Sequence, residues 1–582
     1  MAAGAGRPLR LIGVVALAVF SIFCAPAASV RLKSDRAEVA RKTAEAEAQV
    51  KRGCYIGFKR AIGIYREIYA NPRARKTIAP AYIKALLLTA VRERELGILG
   101  HNSIRTGLEI LRDQPSLARY RPYFEVADCL PLRTRGVMQD QDIVDVKKRV
   151  YDDILTQGLV RDDLKARALE DDSYAYLYVA FFTGYGFFAE KKDELAGDLI
   201  TRFPQSIFMR YRGAIAPQPD ADRLRSLLDE EPEFHEAHYY LGELAIGRQN
   251  LIEAEKEFSA AAAGLPESPQ VPLYLAGICT ALEEFDKSLE FYDRTIALAP
   301  GYRDALLGKA LSLSYLGRFE DAILVLKRIV ELGFYMLGEA HYWLSWNYHA
   351  LKDLDSAQAY IEESKGRLPT NSEVFGLAGT IAAEKGQDAR AETEFLEALE
   401  YNIGNTEALY GLAGICARRQ KWLESGGYCE RAGLAFERNS AAILAKMDEI
   451  RSSSLSADRK ATLLARKTHK LDATQAARAS SFYNAAASYL NAGNSEKALG
   501  LAKRAAEHPS LKEKAEDLIR KIAEDRGQTY TFDNTGRRRD PFIPRELRGG
   551  DLVRFLAGIG TLTPIASNDS TCQMCRFDPG LG

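Results

Sequence analysis

Two cysteines near the end of the sequence, Cys572 and Cys575, form a C-x-x-C pair whose spacing suits half of a zinc site, a redox couple or a local disulfide. A zinc site needs two more ligands, and the residues after Tyr530 include no histidine and no second C-x-x-C. A redox couple needs a strand followed by a helix, whereas this pair lies among Gly, Pro, Ser and Asp. The pattern therefore favours a disulfide, or two thiols without a role, over a metal centre.

The seven histidines are the other side chains that combine metal ligation with acid–base chemistry. His235 and His238 share a helix face, as do His341 and His349, but neither pair has a third ligand at metal spacing. The sequence also lacks a G-x-S-x-G motif, a phosphate-binding P-loop and a dinucleotide-binding fingerprint. We therefore expect no catalytic residue, no cofactor and no metal site, and predict that the chain is not an enzyme.

Apolar and small residues recur with a period of about 34 residues, the length of one helical hairpin. Leu241, Ala254, Phe258 and Pro266 are followed one period later by an equivalent set. The equivalent residues are Leu275, Ser288, Tyr292 and Pro300. One hairpin cannot bury its own apolar face, so neighbours must stack and leave a long concave surface. The sequence therefore predicts an all-α solenoid whose concave surface binds other chains.

This repeat resembles the tetratricopeptide family, whose pattern combines Leu-Gly, an aromatic residue, two alanines around a second aromatic residue, and a closing proline. The resemblance implies small residues such as Ala357 where two helices cross, and Gly317, Gly386 and Gly493 at left-handed hairpin turns. The predicted organisation is a signal peptide (1–28), a degenerate helical-repeat domain (29–230), tetratricopeptide repeats (231–436), an irregular helical connector (437–478), a final repeat with a capping helix (479–524) and an extended or disordered tail (525–582).

The first residues have the pattern of a secretory signal. Arg7 and Arg10 precede an apolar run of about 13 residues, and an A-x-A sequence follows at 25–27. We expect cleavage after Ala27 or Ala28 and a periplasmic or secreted protein; the alternative is an uncleaved N-terminal membrane anchor. Lysine plus arginine and aspartate plus glutamate number 79 each, and this balance argues against nucleic acid as a partner.

In the family, the first helix of each hairpin lines the concave surface, and its inward positions imply a set of partner-binding residues here. Those carried over are Glu236, Tyr239, Glu243, Leu307, Leu311, Tyr315, Tyr342, Trp346, His349, Glu373, Glu407, Tyr410, Arg418, Tyr483 and Asn491. Tyr342, Trp346 and His349 form the best cluster, because spacings of four and three place them on one helix face. Aromatic packing between repeats is the alternative for all of them.

The tail contains TYTFDNTGRRRDPFIP at 529–544, which is similar to the G-R-R-D-P-F segment of periplasmic pilus-assembly and type II secretion proteins. That similarity implies that Arg538 and Arg539 pair with acidic groups of a partner and that Phe542 is an apolar anchor. The alternative is a basic, solvated linker.

Together these features predict an exported tetratricopeptide scaffold that binds a protein or peptide in its groove in the bacterial cell envelope. The expected associations are with envelope membrane complexes, such as a pilus or secretion machine under assembly. One alternative is a periplasmic ligand-binding accessory protein for a transporter or a cell-wall system. Another is a redox or metal protein that uses Cys572 and Cys575.

Overall fold

The computed structural model describes residues 36–100, 102–130, 159–182, 194–216, 218–333 and 337–525. The regular elements of these ranges are helices, with no strand among them, and the predicted all-α fold is confirmed. The proposed signal, the tail and the Cys572–Cys575 pair lie outside the described residues. None of the described helices combines the length and hydropathy of a membrane-spanning segment.

The region before the clear repeats contains ten helices and one short 3-10 helix, Pro115–Tyr120, within the described ranges. The ten helices are α1 (36–51), α2 (Tyr55–Tyr69), α3 (Arg75–Glu95), α4 (Asn102–Asp113), α5 (Arg121–Cys129), α6 (Leu159–Ala168), α7 (Asp172–Phe182), α8 (Glu194–Arg202), α9 (Ile207–Ile215) and α10 (Ala221–Glu230).

Six consecutive helical hairpins follow, and their starts are 33 to 35 residues apart, as the sequence period predicts. They comprise α11 (His235–Gly247), α12 (Leu251–Gly264), α13 (Gln270–Ala281), α14 (Phe285–Leu298), α15 (Arg303–Tyr315), α16 (Phe319–Leu332), α17 (Leu337–Ala350), α18 (Leu354–Arg367), α19 (Ser372–Glu384), α20 (Asp388–Tyr401), α21 (Thr406–Arg418) and α22 (Trp422–Ser452). The last elements are α23 (Ala457–Asn491), α24 (Ser495–Ala505) and α25 (Pro509–Asp525).

The packing inside and between hairpins follows the predicted pattern of small and aromatic residues. Ala357 is fully buried, as expected where two helices cross. The buried ring of Phe395 lies between repeats, since Gly379 of its own hairpin and Gly411 of the next both face it. A Cβ atom at Gly411 would lie 2.1 Å from Phe395 Cε2, so only glycine fits there.

The turns inside the hairpins contain a left-handed residue, and the predicted glycines supply three of them. Gly317, Gly386 and Gly493 have φ of 74°, 74° and 79°. Equivalent turns use side chains that tolerate this conformation less well than glycine does. These residues are Gln249, Glu283, Lys352 and Gln420, with φ between 57° and 64°.

A buried ionic network joins the early helices to the first repeat. The guanidinium of Arg92 on α3 is fully buried, pairs with Glu236 on α11, and lies 3.1 Å from Glu95 Oε2. The backbone N–H of Tyr55 donates to Glu236 at 2.6 Å, and the ring of Tyr211 stacks 3.8 Å from the guanidinium carbon. These contacts pack the early helices directly against the first repeat.

The last two long helices, α22 and α23, form an antiparallel pair that includes the residues 437–478 assigned above to a connector. The turn between them lies at 453–456, beside the polar RSSS stretch. This pair, here called the long hairpin, extends back to the second helix of the repeats and to the turn between the third and fourth helices. Arg459 pairs with Glu255 on α12 at 2.7 Å and with Glu284 at 2.8 Å. Lys470 pairs with Glu283 at 2.7 Å.

Candidate functional site

Two of the predicted partner-binding residues lie in the interior, which corrects the prediction for them. Tyr239 is 1% exposed and Tyr410 is 0% exposed. Tyr239 packs edge-on against Tyr274 of the next repeat, and its hydroxyl donates to Glu243 at 3.2 Å. The Tyr410 hydroxyl donates to the Ala477 carbonyl at 3.2 Å, because α23 covers this face of α21. Both residues pack between repeats, as the alternative interpretation holds.

Arg418 and Tyr315 occupy the edges of the predicted surface. Arg418 pairs across the repeat boundary with Asp388 at 2.7 Å and keeps 40% of its side chain exposed. Tyr315 is half-buried, with its ring 4.9 Å from Phe285 and edge-on to Trp343 at 5.7 Å. Each therefore has an internal partner while retaining some exposed surface.

Tyr342 and Trp346 are both half-buried aromatic residues among the predicted ones. Both pack on Trp343, which is 8% exposed, with ring centroids 5.4 and 5.6 Å apart. The sequence pattern does not single out Trp343, because it points away from the predicted inward positions. It acts as a platform that fixes the other two rings.

His349, the third residue of the predicted cluster, is paired with Glu384. His349 Nε2 is 2.8 Å from Glu384 Oε1, and Lys352 Nζ is 3.3 Å from Glu384 Oε2. Burial disfavours ionisation of Glu384, but the hydrogen bond from His349 and the charge of Lys352 outweigh that effect and lower its pKa. This carboxylate is therefore neutralised by its neighbours.

Glu373 and Glu407 differ from Glu384, because no lysine or arginine of the described residues forms an ion pair with either. Burial raises the pKa of Glu373. Burial also raises the pKa of Glu407; the charge of Glu373 adds to that rise, and the hydrogen bond from Thr380 and the charge of His349 oppose it. Thr380 donates a hydrogen bond to Glu407 Oε1 at 2.8 Å and holds it in place. Burial raises the pKa of Tyr342 well above its usual range, and the charges of Glu407 and Glu373 add to this effect.

We call Tyr342, Trp346, His349, Glu373 and Glu407 the inner face. These residues come from α17, α19 and α21, the first helices of three consecutive hairpins. Aromatic rings beside carboxylates that have no lysine or arginine partner among the described residues suit contact with a protein segment. In the sequence, each residue of the inner face is marked by its inward position in the repeat. Tyr239 and Tyr410 have the same kind of position but are buried, so the sequence alone does not distinguish exposed inward residues from buried ones.

A second group of potential ligands involves Glu255, Cys279 and Glu284, whose ligand atoms all lie within 4.8 Å of one another. Arg459 contacts both carboxylates, and Lys287 lies 2.8 Å from Glu255. Burial raises the pKa of the Cys279 thiol to about 12, so the thiolate that a metal requires is disfavoured. Lys287 and Arg459 already balance the negative charge of the two carboxylates, as a bound metal ion otherwise would.

Comparison with known proteins finds a family match for two segments of the chain. Residues 221–272 and 307–372 match the family model of the tetratricopeptide repeat. These two segments are tetratricopeptide repeats. Together with the six hairpins, they establish a helical-hairpin solenoid of the tetratricopeptide type.

Several solved structures are similar to part of this chain at low identity. A tetratricopeptide protein from Parabacteroides merdae is 16% identical, over 43% of this chain and 91% of its own, with a TM-score of 0.33. PilW, a type IV pilus biogenesis factor, is 19% identical, over 37% and 97%, with a TM-score of 0.29. YrrB, a tetratricopeptide protein with an unusual peptide-binding site, is 18% identical, over 32% and 97%, with a TM-score of 0.26.

One curated relative is an uncharacterized protein of Methanocaldococcus jannaschii. It is 49% identical over 39 residues, which make up 7% of this chain and 45% of the relative. The match therefore spans less than half of the relative's length, about one repeat.

Proposed function

We propose that this chain is a scaffold that holds a segment of a partner protein on the inner face. The observation that carries the proposal is the combination of half-buried aromatic rings at Tyr342 and Trp346 with the carboxylates of Glu373 and Glu407, which form no ion pair with a lysine or arginine of the described residues. Tyrosine and tryptophan supply large contact areas at little entropic cost, so they dominate protein interfaces. Stacked hairpins support this surface from behind and keep it in place.

The proposed setting is the bacterial envelope, after export and removal of residues 1–28. The support is in the sequence: the basic start, the apolar run and the A-x-A sequence. The segment with Arg538, Arg539 and Phe542 adds the proposal that the scaffold assists assembly of a pilus or secretion machine. Export is tested by cell fractionation and by sequencing the N-terminus of the mature protein, which should begin at Ala28 or Ser29.

Site-specific crosslinking tests the scaffold proposal. A photoreactive benzoylphenylalanine at position 346 should give a defined protein adduct in cells, because the ring lies on the inner face. The matched control places the same group at Leu324, which is 68% exposed on the outer helix α16. An adduct that forms at 346 and not at 324 supports the proposal. In a separate pull-down, the protein identified in that adduct should bind the unmodified chain and should be lost from the Trp346→Ala variant.

The absence of a protein adduct at 346 would reject the scaffold proposal. A low-molecular-mass adduct at that position would instead favour the ligand-binding accessory protein. Mass spectrometry of the crosslinked chain separates these results.

A further inference from the structure

We propose that the tip of the long hairpin is a strap that closes the row from the second to the sixth hairpin into a ring, and that this strap releases as the ionic strength rises. The strap comprises residues 447–470, which are the end of α22, the turn and the start of α23. The inference concerns the shape of the scaffold and does not depend on which partner the inner face binds.

The strap connects parts of the chain that a simple solenoid keeps apart, because stacked repeats contact only their neighbours. Arg459 in the strap bonds to Glu255 of the first hairpin, 204 residues earlier. The other half of α23 stays with the sixth hairpin, where the Tyr410 hydroxyl donates to the Ala477 carbonyl at 3.2 Å. About 27 Å of helix separates Ala477 from Arg459, at a rise of about 1.5 Å per residue. The helix therefore bridges from one end of the row back to the other.

Ion pairs form the rim of the contact between the strap and the second hairpin. Glu283 lies in the turn of that hairpin and accepts from Lys467 at 3.0 Å and from Lys470 at 2.7 Å. Arg459 reaches Glu284, the next residue of the same turn, at 2.8 Å. The three basic residues are spaced so that they share one face of α23. That face carries the charged part of the contact.

Buried apolar side chains form the centre of the same contact. Leu463 lies between Arg459 and Lys467 in the sequence and is 0% exposed, and Ile450 of α22 is 5% exposed. Both belong to the buried apolar cluster that contains Ile278 and Leu282 of the second hairpin. An apolar centre inside a charged rim is the arrangement of an interface between two proteins. Here both surfaces belong to one chain, so the strap is a docked segment.

The composition of this contact makes it weaker than the packing between neighbouring repeats. Its apolar centre is small, and the ionic rim therefore supplies a large share of the attraction. Two ammonium groups, those of Lys467 and Lys470, share the single carboxylate of Glu283 and repel each other. Salt screens partly exposed charges, so it weakens the rim while leaving the apolar packing of the repeats intact. The strap should then open before any repeat unfolds.

Pulsed electron paramagnetic resonance on the full chain tests this inference. Spin labels are placed through unnatural amino acids at Ser454 in the strap and at Glu290 in the second hairpin, both of which are exposed. The salt concentration is raised from about 0.1 M to about 1 M, which shortens the Debye length from about 10 Å to about 3 Å. We expect one narrow distance at low salt and an added population of longer distances at high salt. The ratio of open to closed chains should rise at least about fivefold.

Glu283→Gln removes the carboxylate that both lysines share, and it should open the strap already at low salt. The turn tolerates this change, since glutamine occupies the equivalent left-handed position at Gln249 and Gln420. The matched control is Glu320→Gln, the same change at an exposed position at the start of α16. The control should show the distances of the unchanged protein at both salt concentrations.

A distance that stays narrow and unchanged at high salt would overturn the inference, as would a Glu283→Gln chain with the same distances as the control. Far-UV circular dichroism should stay constant across the salt range. A loss of helix together with the longer distances would show unfolding instead of release and would also overturn the inference. The scaffold proposal is tested separately by the crosslink at position 346 and would survive each of these results.

Discussion

Replacing Arg92 by methionine should lower the free energy of unfolding of the junction between the early helices and the first repeat by about 3–5 kcal/mol. The guanidinium is 0% exposed and contacts two carboxylates, those of Glu95 and Glu236. Removing one partner of a buried ion pair costs about this much, because it leaves an uncompensated buried charge. Methionine preserves most of the volume of the arginine stem, so the loss comes mainly from charge.

The magnitude follows from the bonds that Arg92 makes. Besides its two carboxylates, it donates to the Tyr176 hydroxyl at 3.2 Å and to the Gly53 carbonyl at 3.3 Å. A hydrogen bond that involves a charged group makes a net contribution of roughly 1.5–3 kcal/mol. The double variant Arg92→Met with Glu236→Gln should recover about half of the loss or more, since replacing both members of a buried pair is often nearly neutral.

Two assays separate the junction from the later repeats. The chain has three tryptophans, Trp343, Trp346 and Trp422, and all lie in the fourth to sixth hairpins. Their fluorescence during urea unfolding should change little in Arg92→Met, whereas hydrogen exchange of α3 and α11 should accelerate. A loss below about 1 kcal/mol at the junction, or a double variant no more stable than the single one, would refute the reasoning.

Other changes test the packing, the turns and the buried charges. Ala357→Trp should destabilise its hairpin by about 1–3 kcal/mol through overpacking, and an unchanged melting curve would show that the assigned register is wrong. Gln420→Gly should stabilise the protein by up to about 1 kcal/mol, because its φ of 59° suits glycine; a lower midpoint in urea would contradict this. Burial raises the pKa of Glu93 to about 7, so its contribution to stability is full below pH 4.5 and is lost as the pH rises through about 7. Urea unfolding across that window should show a loss of roughly 1.4 kcal/mol per pH unit that Glu93→Gln lacks.

The sequence predicts the hairpins well because their determinants are local. The spacing of small and aromatic residues fixes where two helices cross, and Ala357 and Phe395 are buried as that spacing requires. Left-handed turns are predictable where glycine supplies them, as at Gly386. The sequence does not predict the left-handed turn at Glu283. There, the ion pair of the carboxylate with Lys470 of the long hairpin offsets the less favourable backbone conformation.

Features that depend on distant segments escape the sequence pattern. Arg92 and Glu236 are 144 residues apart, and no local spacing links them. Tyr342 and Tyr410 occupy equivalent inward positions. Helix α23 covers Tyr410 completely, whereas Tyr342 is half-buried. The pattern also breaks at 437–478 because the two long helices have 31 and 35 residues, so each single helix takes up about the length of a whole two-helix repeat.

The ion pairs of the long hairpin give this solenoid a mechanical property that a simple stack lacks. Hairpins that touch only their neighbours extend under load like a spring, each boundary opening a little. Here Arg459 ties a late helix to Glu255 and Glu284, so the first load falls on this tie rather than on the boundaries between repeats. The repeats between Glu255 and Arg459 should therefore stretch little under force until these ion pairs break.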